Sequence, residues 1–138
     1  MTTGIFSDKK FRVALDVASA NQPPEWSITG ENATHVARLL DRAIDGAPIS
    51  HTSYPRLGRG FRGFIITDIS EADGSAPVVG KRWCISKSGE VFSETTAHRN
   101  LSVAQELVER LLKCAPAIVS EFTTQDEIMR HIRYAQNV

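Results

Sequence analysis

The chain has 138 residues, 41% of them hydrophobic and 23% charged, and its sixteen basic side chains balance its sixteen acidic ones. That excludes an intrinsically disordered chain, which combines low hydrophobicity with high net charge, and a globally basic nucleic-acid binder. Two cysteines are too few for a disulfide scaffold. The length fits one domain, 1–138, which hides roughly two-thirds of its unfolded surface on folding.

Met1 to Lys10 lacks the apolar run of a signal peptide, and no stretch approaches the roughly 20 apolar residues of a membrane span. The expectation is therefore a cytoplasmic protein with no membrane contact. Phe11, Val13, Leu15 and Val17 alternate with Arg12, Ala14 and Asp16, the period of a half-buried strand. Asn21-Gln22-Pro23-Pro24 breaks it, and Trp26-Ser27-Ile28 suits a short second strand. Ala33, Val36, Ala37, Leu40 and Ile44 then recur at helical spacing, with Thr29 or Asn32 as cap and Gly46 as stop.

Residues 47–60 read as a long loop, a feature that is uncommon in compact domains and often functional. Phe61 to Asp68 and Val78 to Ser86 read as strands. In the run from Trp83 to Phe92, Ser88-Gly89 suits a two-residue hairpin turn. That turn sets Lys87 opposite Glu90 and Ile85 opposite Phe92, with Trp83, Ile85 and Phe92 on one face. A second helix follows Asn100, with Leu101, Ala104, Leu107, Val108, Leu111 and Leu112 as its apolar stripe and Pro116 as its end. A third starts at Thr123 or Thr124, where Thr124 and Glu127 form a capping box, and it buries Ile128, Met129, Ile132 and Ala135. The expected fold is α+β: a single domain with an antiparallel sheet of about four to five strands and helices packed on one face.

The most unusual segment runs from Pro55 to Phe64, with three arginines and three glycines in ten residues. Guanidinium forks match phosphate and carboxylate oxygens, and glycines let a ligand approach the backbone. Arg56, Arg59 and Arg62, with His51 and Tyr54 nearby, are the candidate anion-binding residues. The segment lacks the Gly-Lys-Ser/Thr of a P-loop and the strand–glycine–helix context of a dinucleotide fingerprint. Between Ala33 and Lys113 the order helix, three strands, helix resembles the double-stranded RNA-binding domain in order alone. That resemblance implies basic contacts to phosphate, whereas the second helix here is close to neutral.

His35, His51, His98 and His131 form no metal-ligand spacing, so no metal and no cofactor is expected. Cys84 and His98 are the one nucleophile–base pair to consider, and strand spacing separates them by about 16 Å if the strand runs straight. The sequence names no catalytic residue. It favours a non-enzymatic binding or protein-interaction domain with a protein partner or self-association as a homodimer. The alternatives are a small enzyme or ligand-binding domain that takes an anionic substrate on loop 55–64 and, last, a nucleic-acid binder.

Overall fold

The computed structural model describes residues 9–17, 22–45, 48–49, 51, 61–70, 81–93 and 96–136. Strands β1 (Lys10–Val17) and β2 (Glu25–Thr29) lead into helix α1 (Gly30–Ala43). Four strands follow, β3 (Phe61–Asp68), β4 (Arg82–Ser86), β5 (Glu90–Ser93) and β6 (Thr96–Arg99). Helix α2 (Leu101–Lys113), a short 3-10 turn (Ala117–Glu121) and helix α3 (Gln125–Gln136) complete the order. The strands form one sheet in the order β2-β1-β3-β4-β5-β6, every neighbouring pair antiparallel. The fold is thus the α+β class expected, but with six strands rather than four to five. The additional strand is β6, whose Thr-Ala-His-Arg sequence has none of the apolar alternation by which strands are recognised. Four strands therefore separate α1 from α2, not the three of the RNA-binding order.

The alternation in β1 is realised. Phe11, Val13 and Leu15 are buried on one face, and their cross-strand partners Ile28, Trp26, Ile66 and Phe64 carry that face over three strands. Trp83, Ile85 and Val91 extend it across β4 and β5. The helices cover this face. Asn100 caps α2 as expected, its side chain accepting from Val103 N–H at 3.3 Å. Ala104, Leu107, Val108 and Leu111 of the predicted stripe are fully buried, while Leu101 and Leu112 at its ends pack partly buried against the core. Arg110 of α2 donates to Asn32 of α1 at 3.3 Å, and Glu106 lies 3.5 Å from His35, so the two helices run antiparallel. Helix α2 is tied to the sheet by Trp26, whose indole N–H donates to the Leu111 carbonyl at 3.1 Å. Thr124 accepts from Glu127 N–H at 3.2 Å and opens α3 as the capping signal indicates. At α1 the structure departs from expectation: Thr29 occupies the cap position without a side-chain bond, and the helix ends at Ala43.

The β4–β5 hairpin corrects the expected register. Ile85 pairs with Val91 and Cys84 with Phe92, so Phe92 lies on the face opposite Trp83 and Ile85. The turn contains three residues, Lys87, Ser88 and Gly89, with Gly89 at φ +91° and its N–H bonded to the Ser86 carbonyl at 3.0 Å. A three-residue turn closed by a left-handed glycine is a standard hairpin, and the added residue flips β5 by one position. Gly89 is required twice over, because a Cβ there would also stand 3.2 Å from Leu101 Cδ2 and 3.3 Å from Ile132 Cγ1. Glu90 pairs with Arg99 at 3.5 Å across β5–β6 instead of with Lys87.

Leu111 sits where α2 meets the sheet and is fully buried. Replacing it with Ala leaves a cavity and is expected to cost about 2–5 kcal/mol in urea denaturation. A cost below about 1 kcal/mol would show that the helix–sheet contact lies elsewhere.

Candidate functional site

Because every neighbouring pair is antiparallel and in defined register, the residues of the second sheet face follow by alternation. No described helix packs on that face, and it carries three parallel rows. The central row is apolar: Ala14, Ile65, Cys84, Phe92 and Ala97 stand side by side across five strands. Ala14, Ile65 and Cys84 are half-buried, whereas Phe92 and Ala97 are buried. At the β6 edge the Ala97 carbonyl accepts from the Ile49 N–H at 2.8 Å.

On one side of this row lie Ser27, Arg12, Thr67 and Arg82, with Lys10 one step beyond. Lys10, Arg12 and Arg82 are exposed. Arg12 reaches Glu25 only at 3.9 Å, with both side chains more than half exposed, so the pair leaves this margin basic in character.

On the other side lie Asp16, Gly63, Ser86, Glu90 and Arg99. Here a bulge interrupts the β1–β3 pairing. Asp16 faces Gly63 and Val17 faces Phe61, which leaves Arg62 as the extra residue of β3. A bulge re-aims the side chain it carries. Arg62 Nη2 thereby reaches Asp16 Oδ1 at 2.7 Å, with the Asp16 side chain 2% and the Arg62 side chain 16% exposed. The Arg62 carbonyl accepts from Lys87 N–H at 3.1 Å, which ties the bulge to the hairpin turn. Ser86 Oγ accepts from Glu90 N–H at 3.1 Å and lies 3.2 Å from Ser88 Oγ. The charges along this row are matched within the chain, Asp16 by Arg62 and Glu90 by Arg99.

Of the candidate anion ligands, Arg62 is described and directs its guanidinium at Asp16, and His51 is exposed. Tyr54, Arg56 and Arg59 lie outside the described residues, as does most of loop 47–60. An anion on Arg62 would have to share that guanidinium with a buried carboxylate already bonded to its Nη2 at 2.7 Å. Cys84 and His98 are kept apart by parity: Cys84 belongs to the apolar row, while His98 pairs with Val91 on the helix-covered face. Among the described residues no three His, Cys, Asp or Glu side chains gather as a metal-ligand set, and no helix is long and apolar enough to cross a membrane. That Asp16, Ile65 and Arg82 belong to one surface is not visible in the sequence. The strand pattern assigns each of them a face, but only the strand order brings them together.

At the opposite end of β3, Asp68 closes the strand. Its Oδ1 accepts from Ser70 N–H at 2.9 Å and its Oδ2 from Lys9 Nζ at 3.2 Å. Burial pushes the carboxyl pKa up, but the bonds from the Ser70 hydroxyl and N–H, together with Lys9, outweigh it and hold it below the usual carboxylate value. A folded pKa below the unfolded one stabilises the fold above the unfolded value, near about 3.9, and that contribution is lost as pH falls through the folded pKa. Ser70→Ala is expected to raise the Asp68 pKa, so that the loss starts at a higher pH. Carboxyl-carbon NMR titration reads this directly, and an unchanged Asp68 midpoint would contradict the assignment.

The chain matches no protein-family model, and searches of curated proteins and of solved structures likewise give no match.

Proposed function

We propose that this protein is a non-enzymatic protein-interaction domain whose partner seats on the sheet face opposite the helices. One observation carries the reading: the described helices cover one face, and on the other an apolar row runs between polar margins, half-buried at Ala14, Ile65 and Cys84 and buried at Phe92 and Ala97. An apolar centre with a polar rim is the usual anatomy of a protein interface. The two margins differ. Asp16–Arg62 and Glu90–Arg99 neutralise one from within, whereas Lys10, Arg12 and Arg82 leave the other basic. The partner therefore presents an apolar patch with acidic groups along the side that meets β1 and β4. Charge of this kind sets orientation and association rate more than affinity. Neither Cys84 nor Cys114 forms a disulfide, which supports a reducing compartment, the cytoplasm, as the place of action.

The test compares the wild type with Ile65→Glu and Arg82→Glu, one variant in the apolar row and one at its exposed basic margin. Light scattering after size exclusion reads self-association, and affinity capture from the native extract reads a different partner. A dimer, or a captured polypeptide, that is retained by the wild type and reduced in both variants supports the reading. A monomer whose captured proteins are the same in all three overturns it.

A further inference from the structure

The two tryptophans of this chain have opposite fates. Both are buried on the helix-covered face, and Trp26 donates its indole N–H to the Leu111 carbonyl. Trp83 is only 6% exposed, yet among the described residues its Nε1 is buried with no acceptor. A buried donor left without a partner is rare enough in proteins to need a physical cause, and an unfilled ligand position is one.

Three features around Trp83 say what that ligand would be. Lys81 Nζ stands 5.2 Å from the centroid of the Trp83 ring. Among the described residues no carboxylate lies within ion-pair distance of Lys81, whereas Lys9, which stands over the neighbouring Phe11 ring, is held by Asp68 at 3.2 Å. Phe11 and Trp83 meet edge to face at 6.0 Å, which braces the indole from the side of β1. Across the sheet the same face continues through Ser93 and Thr96, and Thr96 Oγ1 lies 3.4 Å from His98 Nε2. His98 Nδ1 is a second buried ring nitrogen without a partner among the described residues. That face is thus polar at its β5–β6 end, through Ser93, Thr96 and His98, and at its β3–β4 end, where Asp68 stands opposite Lys81 and donates its N–H to the Lys81 carbonyl at 2.8 Å.

From an ammonium with no ion pair among the described residues, beside an indole donor with no acceptor among them, we infer that Lys81 and Trp83 hold a small oxyanion, a carboxylate or a phosphate. The ammonium supplies the charge and the indole N–H a directed bond, the pairing that makes hydrogen bonds to ionised acceptors strong. The Lys81 side chain lies over the ring and is itself exposed, so its movement gives the anion its path. This site lies on the other face of the sheet from the proposed interface, and the two readings stand or fall separately.

Proton–nitrogen correlation NMR tests it with a built-in control. The intact chain gives two indole N–H signals, and Trp83→Phe identifies them. Acetate and phosphate are titrated separately, with chloride at matched ionic strength as reference. The Trp83 signal is expected to move saturably with one of the two oxyanions while the Trp26 signal stays in place, and the oxyanion that moves it names the class. Lys81→Gln is expected to weaken that response about tenfold, with an unmoved Trp26 signal showing that the fold is kept. A Trp83 signal that ignores both oxyanions, that moves equally with chloride, or that responds undiminished in Lys81→Gln overturns the inference.

Discussion

The contact between Asp16 and Arg62 joins two strands whose pairing organises the whole sheet. Strand β1 lies between β2 and β3, and its last turn of polypeptide is where the β1–β3 register shifts. Burying a carboxylate is expensive unless a cation and further donors satisfy it, and leaving either partner alone costs more than the pair returns. Arg62 therefore has to reach Asp16, and on a regular strand its side chain would point to the other face. The bulge resolves this conflict by inserting Arg62 as an extra residue. The same residue holds the β4–β5 turn through its carbonyl, so one local irregularity couples the crossover strand to the hairpin beyond it.

The two faces of the sheet then serve different ends. The helix-covered face is filled by aromatic and branched side chains, and antiparallel α1 and α2 close over it. Gly89 admits Leu101 and Ile132 to the hairpin turn, which brings the start of α2 and the body of α3 down onto that end of the sheet. The second face has charge at its margins and hydrocarbon in the middle. Its neutralised margin is built by the pair that sets the bulge, so the constraint that orders β1 and β3 also shapes the proposed interface.

How much of this was legible follows from how each signal is encoded. Period two in β1 and the apolar stripe of α2 are local and long, and the structure reproduces both. The Asn100 and Thr124 caps are equally local, each made within three residues. The hairpin shows the opposite case: Ser88-Gly89 is a sound turn signal, but one additional turn residue, Lys87, reversed the face of Phe92. Strand β6 escaped because Ala97 is its one apolar residue, and its place depends on pairing with β5. Asp16 reads from sequence as an ordinary member of a solvent face, and Arg62 as one of three loop arginines. Their union spans 46 positions in the chain and requires a bulge, which no spacing announces. The candidate surface was illegible for the same reason, since strand order and not strand pattern places Ile65 beside Cys84.

The claim on which the account rests is that Asp16 and Arg62 act as one unit that holds the β1–β3 register. A double-mutant cycle with Asp16→Asn, Arg62→Gln and the combined variant, followed by urea denaturation, measures it most directly. The account predicts strong coupling, about 1–3 kcal/mol, with the double variant losing clearly less than the sum of the two single losses. Losses that add to within about 0.5 kcal/mol would contradict it, because they would make the two residues independent and leave the bulge without its cause.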